Sequence, residues 1–148
     1  MRMTHRHVHC MYCDDIREEV GGKSSLIGWH SGPLVEVRAA PPLFMPRIAV
    51  MTHILSPLDL PFRKLSLELR WRGNVLQRVT PDDEQIANMQ AAARHEASES
   101  KAWHLNAAVI VQPFVVDQNG TLRAHVFLDG EELVGNGLEF RFTESPPP

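Results

Sequence analysis

The first residues of the chain that suggest chemistry are three alternating histidines, His5, His7 and His9, followed by Cys10 and Cys13. Imidazole nitrogens and thiolates are preferred ligands of zinc. In an extended strand alternate side chains share a face, which places successive imidazoles of the set about 6.5–7 Å apart at the backbone. The C-x-x-C spacing also occurs in zinc knuckles and redox motifs. A metal site that uses His5, His7, His9 and Cys13 is therefore one hypothesis.

The same strand pattern argues against this metal site. A C-x-x-C pair chelates from a tight turn, whereas Cys10 and Cys13 lie in an alternating strand and face opposite ways. No second C-x-x-C or H-x-x-x-H motif follows them. Further ligands would have to come singly from His30, His53, His104 or His125. We therefore predict that Cys10 is core, that the histidines line an exposed strand face and that no cofactor is bound, with metal binding as the alternative.

Motifs of other catalytic sites are missing from the sequence. There is no Gly-x-Ser-x-Gly elbow, and residues 21–24 match only the end of a phosphate-binding loop, without its first glycine or a following helix. An acidic cluster formed by Asp14, Asp15, Glu18 and Glu19 surrounds Arg17, and we expect a solvated hairpin there. The sequence predicts a protein that is not an enzyme.

The elements that must position these residues are mostly strands. The clearest pattern covers residues 64–72, where Leu65, Leu67, Leu69 and Trp71 alternate with polar residues such as Glu68. Turn residues recur every eight to twelve positions, which is typical of a sandwich. We predict an all-β, Ig-like or C2-like antiparallel sandwich of about eight or nine strands. It forms one domain over residues 1–148, with a proline-rich tail at 144–148.

One helix is predicted between the strands, at about residues 81–97. Thr80 can cap it, Pro81 suits the first helical position, and the acidic residues that follow lie at the positive end of the helix dipole. Its apolar stripe is thin, so most of the helix surface is expected to be exposed.

Composition excludes several functional classes. The formal net charge of −3 over 148 residues gives no overall basic character for binding nucleic acid. No apolar run approaches the roughly 18 residues that span a bilayer, and the N-terminus lacks the apolar core of a secretory signal. Two cysteines without secretion indicate reduced thiols. We expect a cytoplasmic protein that binds neither nucleic acid nor membrane.

One segment resembles a known family. Residues 13–23 read CDDIREEVGGK and residues 25–28 read SLIG. This pairing resembles the N-terminal hairpin of small bacterial and prophage proteins of unknown function. The resemblance implies an all-β sandwich without enzymatic activity, in the cytoplasm of a bacterial host or in the virion. It makes two binding roles plausible, an accessory protein of the virion and an inhibitor of a host defence complex.

A protein that acts through a protein partner needs an exposed contact surface. We predict this surface on the inserted helix, at Gln90 and Arg94, together with Trp103, because an aromatic residue near a strand end often marks a protein contact. The partner would be a host or virion protein, and a homo-oligomer is possible. If Trp103 is core, the alternative contact surface is the acidic hairpin around residues 14–19. Trp29 also lies at a strand end.

Overall fold

The computed structural model describes residues 5–96 and 102–145, which form thirteen strands and one helix. The strands are β1 (His7–Cys13), β2 (Asp15–Glu19), β3 (Lys23–Ile27), β4 (Leu34–Val37), β5 (Leu43–Met45), β6 (Ile48–Pro57), β7 (Leu65–Trp71), β8 (Asn74–Val79), β9 (Ala102–Val111), β10 (Phe114–Val116), β11 (Gly120–Leu128), β12 (Glu131–Val134) and β13 (Leu138–Phe142). The helix α1 (Asp83–Glu96) lies between β8 and β9. The predicted end of the helix at residue 97 and the tail beyond residue 145 lie outside the described residues.

Two main sheets make up the fold. The smaller sheet has the order β1-β6-β9, and the larger has the order β4-β13-β11-β7-β8, with β12 also paired to β11. β2 pairs with β3 and β5 with β10 as separate two-stranded sheets. The pairing is antiparallel except between β13 and β4, which run parallel. The predicted all-β sandwich with one inserted helix is confirmed.

Prolines explain part of the higher strand count. The β6–β9 ladder ends at the pair Ile48 and Val111, and pairing resumes beyond Pro46 and Pro113 as β5 with β10. Proline has no backbone N–H to donate to a ladder, so each of these long strands is divided in two. The apolar run from His104 to Val116 predicts one long strand, bent at Pro113 or placed at an edge by it, and this run is observed as β9 and β10.

The core lies between the inner faces of the two main sheets. On β7 the residues Leu65, Leu67, Leu69 and Trp71 are buried, which confirms the predicted alternation. Glu68, predicted on a wet face, is also covered. Its Oε2 atom accepts hydrogen bonds from Arg70 and its Oε1 atom accepts them from Arg78. Arg70 and then Arg78 lower the pKa of the Glu68 carboxyl group.

Tyr12 joins the two main sheets. Its hydroxyl lies 2.7 Å from the backbone oxygen of Asn136 and 3.1 Å from that of Leu122, so it contacts the larger sheet and the connection before β13. Burial is the main cause of a raised pKa at Tyr12, and the hydroxyl therefore stays protonated as a donor.

The helix begins later than predicted. The side chain of Asp82 accepts from the Gln85 N–H at 2.7 Å, and the Gln85 side chain accepts from the Asp82 N–H at 2.9 Å. This reciprocal capping box makes Asp82 the N-cap, in place of Thr80. Ile86 is buried, and Met89 packs against the core.

Replacing Leu69 by alanine is expected to lower the free energy of unfolding by about 2–5 kcal/mol, because a fully buried side chain leaves a cavity. Replacing Arg78 by alanine should cost less than about 1 kcal/mol, since its side chain is 58% exposed. Urea unfolding followed by circular dichroism measures both effects. Equal losses would contradict the placement of Leu69 in the core and of Arg78, on the neighbouring strand β8, at the exposed surface.

Candidate functional site

The predicted contact residue Trp103 is buried. Only 4% of its surface is exposed, and its ring centroid lies 4.4 Å from that of Phe62. Trp103 lies at the start of β9, opposite Ser56 of β6, on the inner face of the smaller sheet. Phe62 covers it, and the guanidinium of Arg6 lies over the Phe62 ring. The prediction that Trp103 is an exposed contact residue is therefore wrong.

The other two predicted contact residues lie on the helix. The side-chain amide of Gln90 donates to the backbone oxygen of Phe62, so this residue helps to attach the helix to the loop that covers Trp103. The side chain of Arg94 lies outside the described residues. The structure thus gives Gln90 a packing role and does not group the three predicted residues on one exposed face.

The residues of the predicted metal site differ in their exposure to solvent. His5, His7 and His9 are exposed, and Cys10 is buried, as predicted. Cys13 is fully buried, and its thiol donates to the backbone oxygen of Asp15 at 3.3 Å. Burial and then the charge of Asp14 raise the pKa of Cys13, which disfavours the thiolate that a metal requires. The buried Cys13 thiol therefore does not suit the alternative in which Cys13 is a metal ligand.

Two histidines of the outer face of the smaller sheet meet instead. His104 Nδ1 lies 3.4 Å from His53 Nε2, and His53 Nδ1 contacts Asn106 Oδ1. Because an amide oxygen only accepts, His53 donates from Nδ1 in this contact, and in the neutral ring the lone pair is then on Nε2. His9 lies directly across from His53 in the β1–β6 register. Within residues 5–96 and 102–145, no three His, Cys, Asp or Glu side chains are arranged to hold a metal ion.

The β2–β3 hairpin is a largely exposed element beside the main sheets. Among the described strands, β2 and β3 pair only with each other. Gly21 and Gly22 adopt φ angles of +86° and +72° in the connecting turn, a conformation that glycine adopts at little cost. The hairpin contacts β6 near its base, and its turn projects from the core.

Polar contacts fix the base of the hairpin. Asp15 Oδ1 accepts from the Arg47 guanidinium at 2.8 Å, and this hydrogen bond is the main cause of a lowered pKa at Asp15. The Asp14 N–H donates to the Ile27 oxygen at 2.8 Å. The carboxylate of Asp14 lies against Gly28, because a Cβ atom at Gly28 would be only 2.2 Å from Asp14 Oδ2. The ion-pair partner of Asp15 is thus Arg47, which is remote in sequence, and not the neighbouring Arg17.

Exposed apolar residues lie at both ends of the hairpin. Val20, in the turn, is 97% exposed, and Trp29, just after β3, is 59% exposed. Asp14, Glu18 and Glu19 are exposed in the same segment. Arg17 and Lys23 are exposed there as well. The hairpin surface, defined here as residues 14–29, therefore combines apolar side chains with charged ones, among which the acidic residues are in slight excess.

Comparisons with protein-family models, with curated proteins and with solved structures gave no match. The helix that the structure describes is too short and too polar to cross a membrane. The assignment of a site therefore depends on the geometry of the described residues.

Replacing Trp103 by alanine is expected to lower the free energy of unfolding by about 3–5 kcal/mol, because the change empties a packed position beside Phe62. Trp29 provides the matched control, since its ring is largely exposed and its replacement by alanine should cost less than about 1 kcal/mol. Urea unfolding of both variants gives the comparison. An unchanged midpoint for Trp103→Ala would argue against its burial.

Proposed function

We propose that this protein is a non-enzymatic accessory protein that binds another protein through the hairpin surface. The observation that carries the proposal is a hairpin that presents a 97% exposed Val20 and a 59% exposed Trp29 while pairing with no other described strand. Tryptophan is among the residues most often found at the energetic centre of protein interfaces. The hairpin replaces the predicted surface around Trp103 as the contact region.

The backbone of the hairpin supports the same proposal. A two-stranded hairpin is marginally stable alone, and no other strand among the described residues pairs with the outer edges of this one, which carry backbone N–H and C=O groups. A partner strand added to such an edge gains main-chain hydrogen bonds, while pockets on the partner select the side chains. The Arg47–Asp15 ion pair holds the base, so binding would order only the projecting part.

The charges of the hairpin surface indicate the chemistry of the partner. Asp14, Glu18 and Glu19 are exposed, and the exposed Arg17 and Lys23 balance their charges only in part. The charge of Asp15 is balanced by Arg47. An apolar pocket for Trp29, bordered by lysine or arginine side chains, is complementary to this arrangement. We propose a partner with such a basic border.

The biological setting of the proposal comes from the resemblance of residues 13–28 to hairpins of bacterial and prophage proteins. It supports a phage or prophage accessory protein, either as a virion component or as an inhibitor of a host defence complex. The identity of the bound partner distinguishes these two roles, because one is a structural virion protein and the other a host protein.

The second candidate function is metal binding, and the His53–His104 pair favours it. The 3.4 Å between His53 Nε2 and His104 Nδ1 suits two ligands of one ion, since zinc–nitrogen bonds of about 2.0–2.1 Å at a tetrahedral angle give a similar separation. His9 lies across from His53 and would complete three ligands after a change of rotamer. This set shares only His9 with the predicted one.

The hairpin proposal is tested by affinity capture with purified chain, from a bacterial lysate and from phage particles, followed by mass spectrometry. Proteins captured by the wild type are purified, and their affinities are measured again for Trp29→Ala and Val20→Ser. We expect each affinity to fall at least about tenfold, the loss typical of an interface anchor. Phe44→Ala is the matched control, because Phe44 is exposed on β5, outside the hairpin surface.

Equal binding by wild type and Trp29→Ala would contradict the hairpin proposal. Loss of binding in Arg94→Glu, with Trp29→Ala unaffected, would support the predicted helix surface instead.

The metal proposal is tested by titrating untagged protein with Zn²⁺ and following the histidine ring signals by NMR. We expect a stoichiometric site that is lost in His53→Ala and in His104→Ala, since each removes one nitrogen of the pair. His7→Ala is the control, because His7 lies on the same sheet face opposite Leu55, outside the pair. A titration that is equally affected by all three variants would indicate nonspecific binding by exposed imidazoles.

A further inference from the structure

The outer face of the larger sheet contains an open pocket of about 300 Å³. It lies over β7 and β11 and is lined by Arg70, Arg72, Gly73, Thr121, Arg123 and His125. The volume is at the lower end of the roughly 300–1,000 Å³ that small-molecule pockets occupy. Three guanidinium groups around one pocket create a local excess of positive charge in a chain whose formal net charge is −3.

This positive charge is only partly balanced. Both carboxylate oxygens of Glu68 are already used, one by Arg70 and the other by Arg78. In the part of the chain that the structure describes, no carboxylate forms an ion pair with Arg72 or Arg123. Arg70 and Arg123 are also directly opposite in the β7–β11 register, and like charges in that position repel.

Two glycines make room for the unpaired arginines. A Cβ atom at Gly137 would lie 2.9 Å from Arg123 Nη2, and one at Gly120 would lie 2.4 Å from the Arg72 Cγ atom. Neither glycine has a positive φ angle, so the backbone conformation alone does not require glycine at either position. Because glycine has no side chain, Arg72 and Arg123 can lie close to the sheet beside the pocket.

We propose that this pocket binds a phosphate group. A phosphate monoester carries about −1.5 to −2 charges at pH 7, which matches the two arginines that lack a carboxylate. Guanidinium groups bind phosphate through paired, charge-assisted hydrogen bonds. Thr121 lines the same pocket, and a threonine side chain offers a hydroxyl donor. A bound phosphate would also relieve the repulsion between Arg70 and Arg123.

The phosphate site is independent of the proposed protein partner. No residue of the hairpin surface lines the pocket. The His125 ring is held at the pocket wall by the Glu132 carboxylate, 2.8 Å from its Nδ1 atom. The pocket is thus assembled from strands of the larger sheet, whether or not the hairpin binds a partner.

Isothermal titration calorimetry at constant ionic strength tests the proposal, with inorganic phosphate, a nucleoside monophosphate and a phosphoserine peptide as three separate ligands. We expect saturable binding of at least one. The tightest of the three identifies the source as free phosphate, a nucleotide or a phosphorylated protein. The unphosphorylated peptide and acetate should show no binding.

Variants locate the binding site. Arg123→Gln and Arg72→Gln should each weaken phosphate binding about tenfold or more, because each removes charge-assisted hydrogen bonds. Arg38→Gln removes the same charge from a side chain that is 89% exposed and outside the pocket, and it should leave the affinity within about twofold. Gly137→Ala should weaken binding by displacing the Arg123 guanidinium.

Circular dichroism establishes that each variant is folded. No saturable binding of any of the three ligands, or equal losses in Arg38→Gln and Arg123→Gln, would overturn the proposal.

Discussion

The side-chain amide of Asn136 forms the hydrogen bonds that a neighbouring strand would otherwise form with the free edge of β1. The position of the whole N-terminal region depends on this contact. The Oδ1 atom of Asn136 accepts from the Cys10 N–H at 2.7 Å, and its Nδ2 donates to the Cys10 oxygen at 2.9 Å. β1 is an edge strand, so these two backbone groups would otherwise lack partners beside the core. The approach is close because Gly135 has no side chain, where a Cβ atom would lie 2.9 Å from Cys10 Sγ. This contact and the Tyr12 hydroxyl hold β1 against the larger sheet.

The orientation of the exposed residues follows from this junction. With Cys10 and Tyr12 turned inward, strand alternation turns His7 and His9 outward. A further hydrogen bond connects β1 to the end of the hairpin, because the backbone oxygen of Tyr12 accepts from the His30 N–H at 2.8 Å. His30, which follows Trp29, is therefore attached to β1, while the turn at Val20 projects from the core. A rigid base with a projecting loop is the usual arrangement for recognition on a β scaffold.

The features predicted correctly from the sequence are those that depend on local periodicity. The alternation of β7 and the inserted helix each follow from spacings within one segment. Trp103 was predicted wrongly because its burial depends on Phe62, which a loop brings over it from elsewhere in the chain. The His53–His104 pair and the opposition of Arg70 and Arg123 depend on strand register. Register is set by tertiary packing, so spacing within one strand does not reveal such pairs.

The formal net charge of −3 describes the surface of this protein poorly, because arginines are grouped at one pocket while the overall charge is negative. The hairpin surface has a slight excess of exposed acidic groups, since Arg17 and Lys23 offset only part of the charge of Asp14, Glu18 and Glu19. The outer face of β7 and β11 is instead basic around Arg72 and Arg123. At physiological salt, exposed charges are screened within about 8 Å, so each surface attracts ligands according to its own local charge. The overall value of −3 therefore argues against a molecule that is basic throughout, but it says nothing about a pocket of a few arginines. The proposed protein partner and the proposed phosphate would therefore occupy separate surfaces of the sandwich and would not compete.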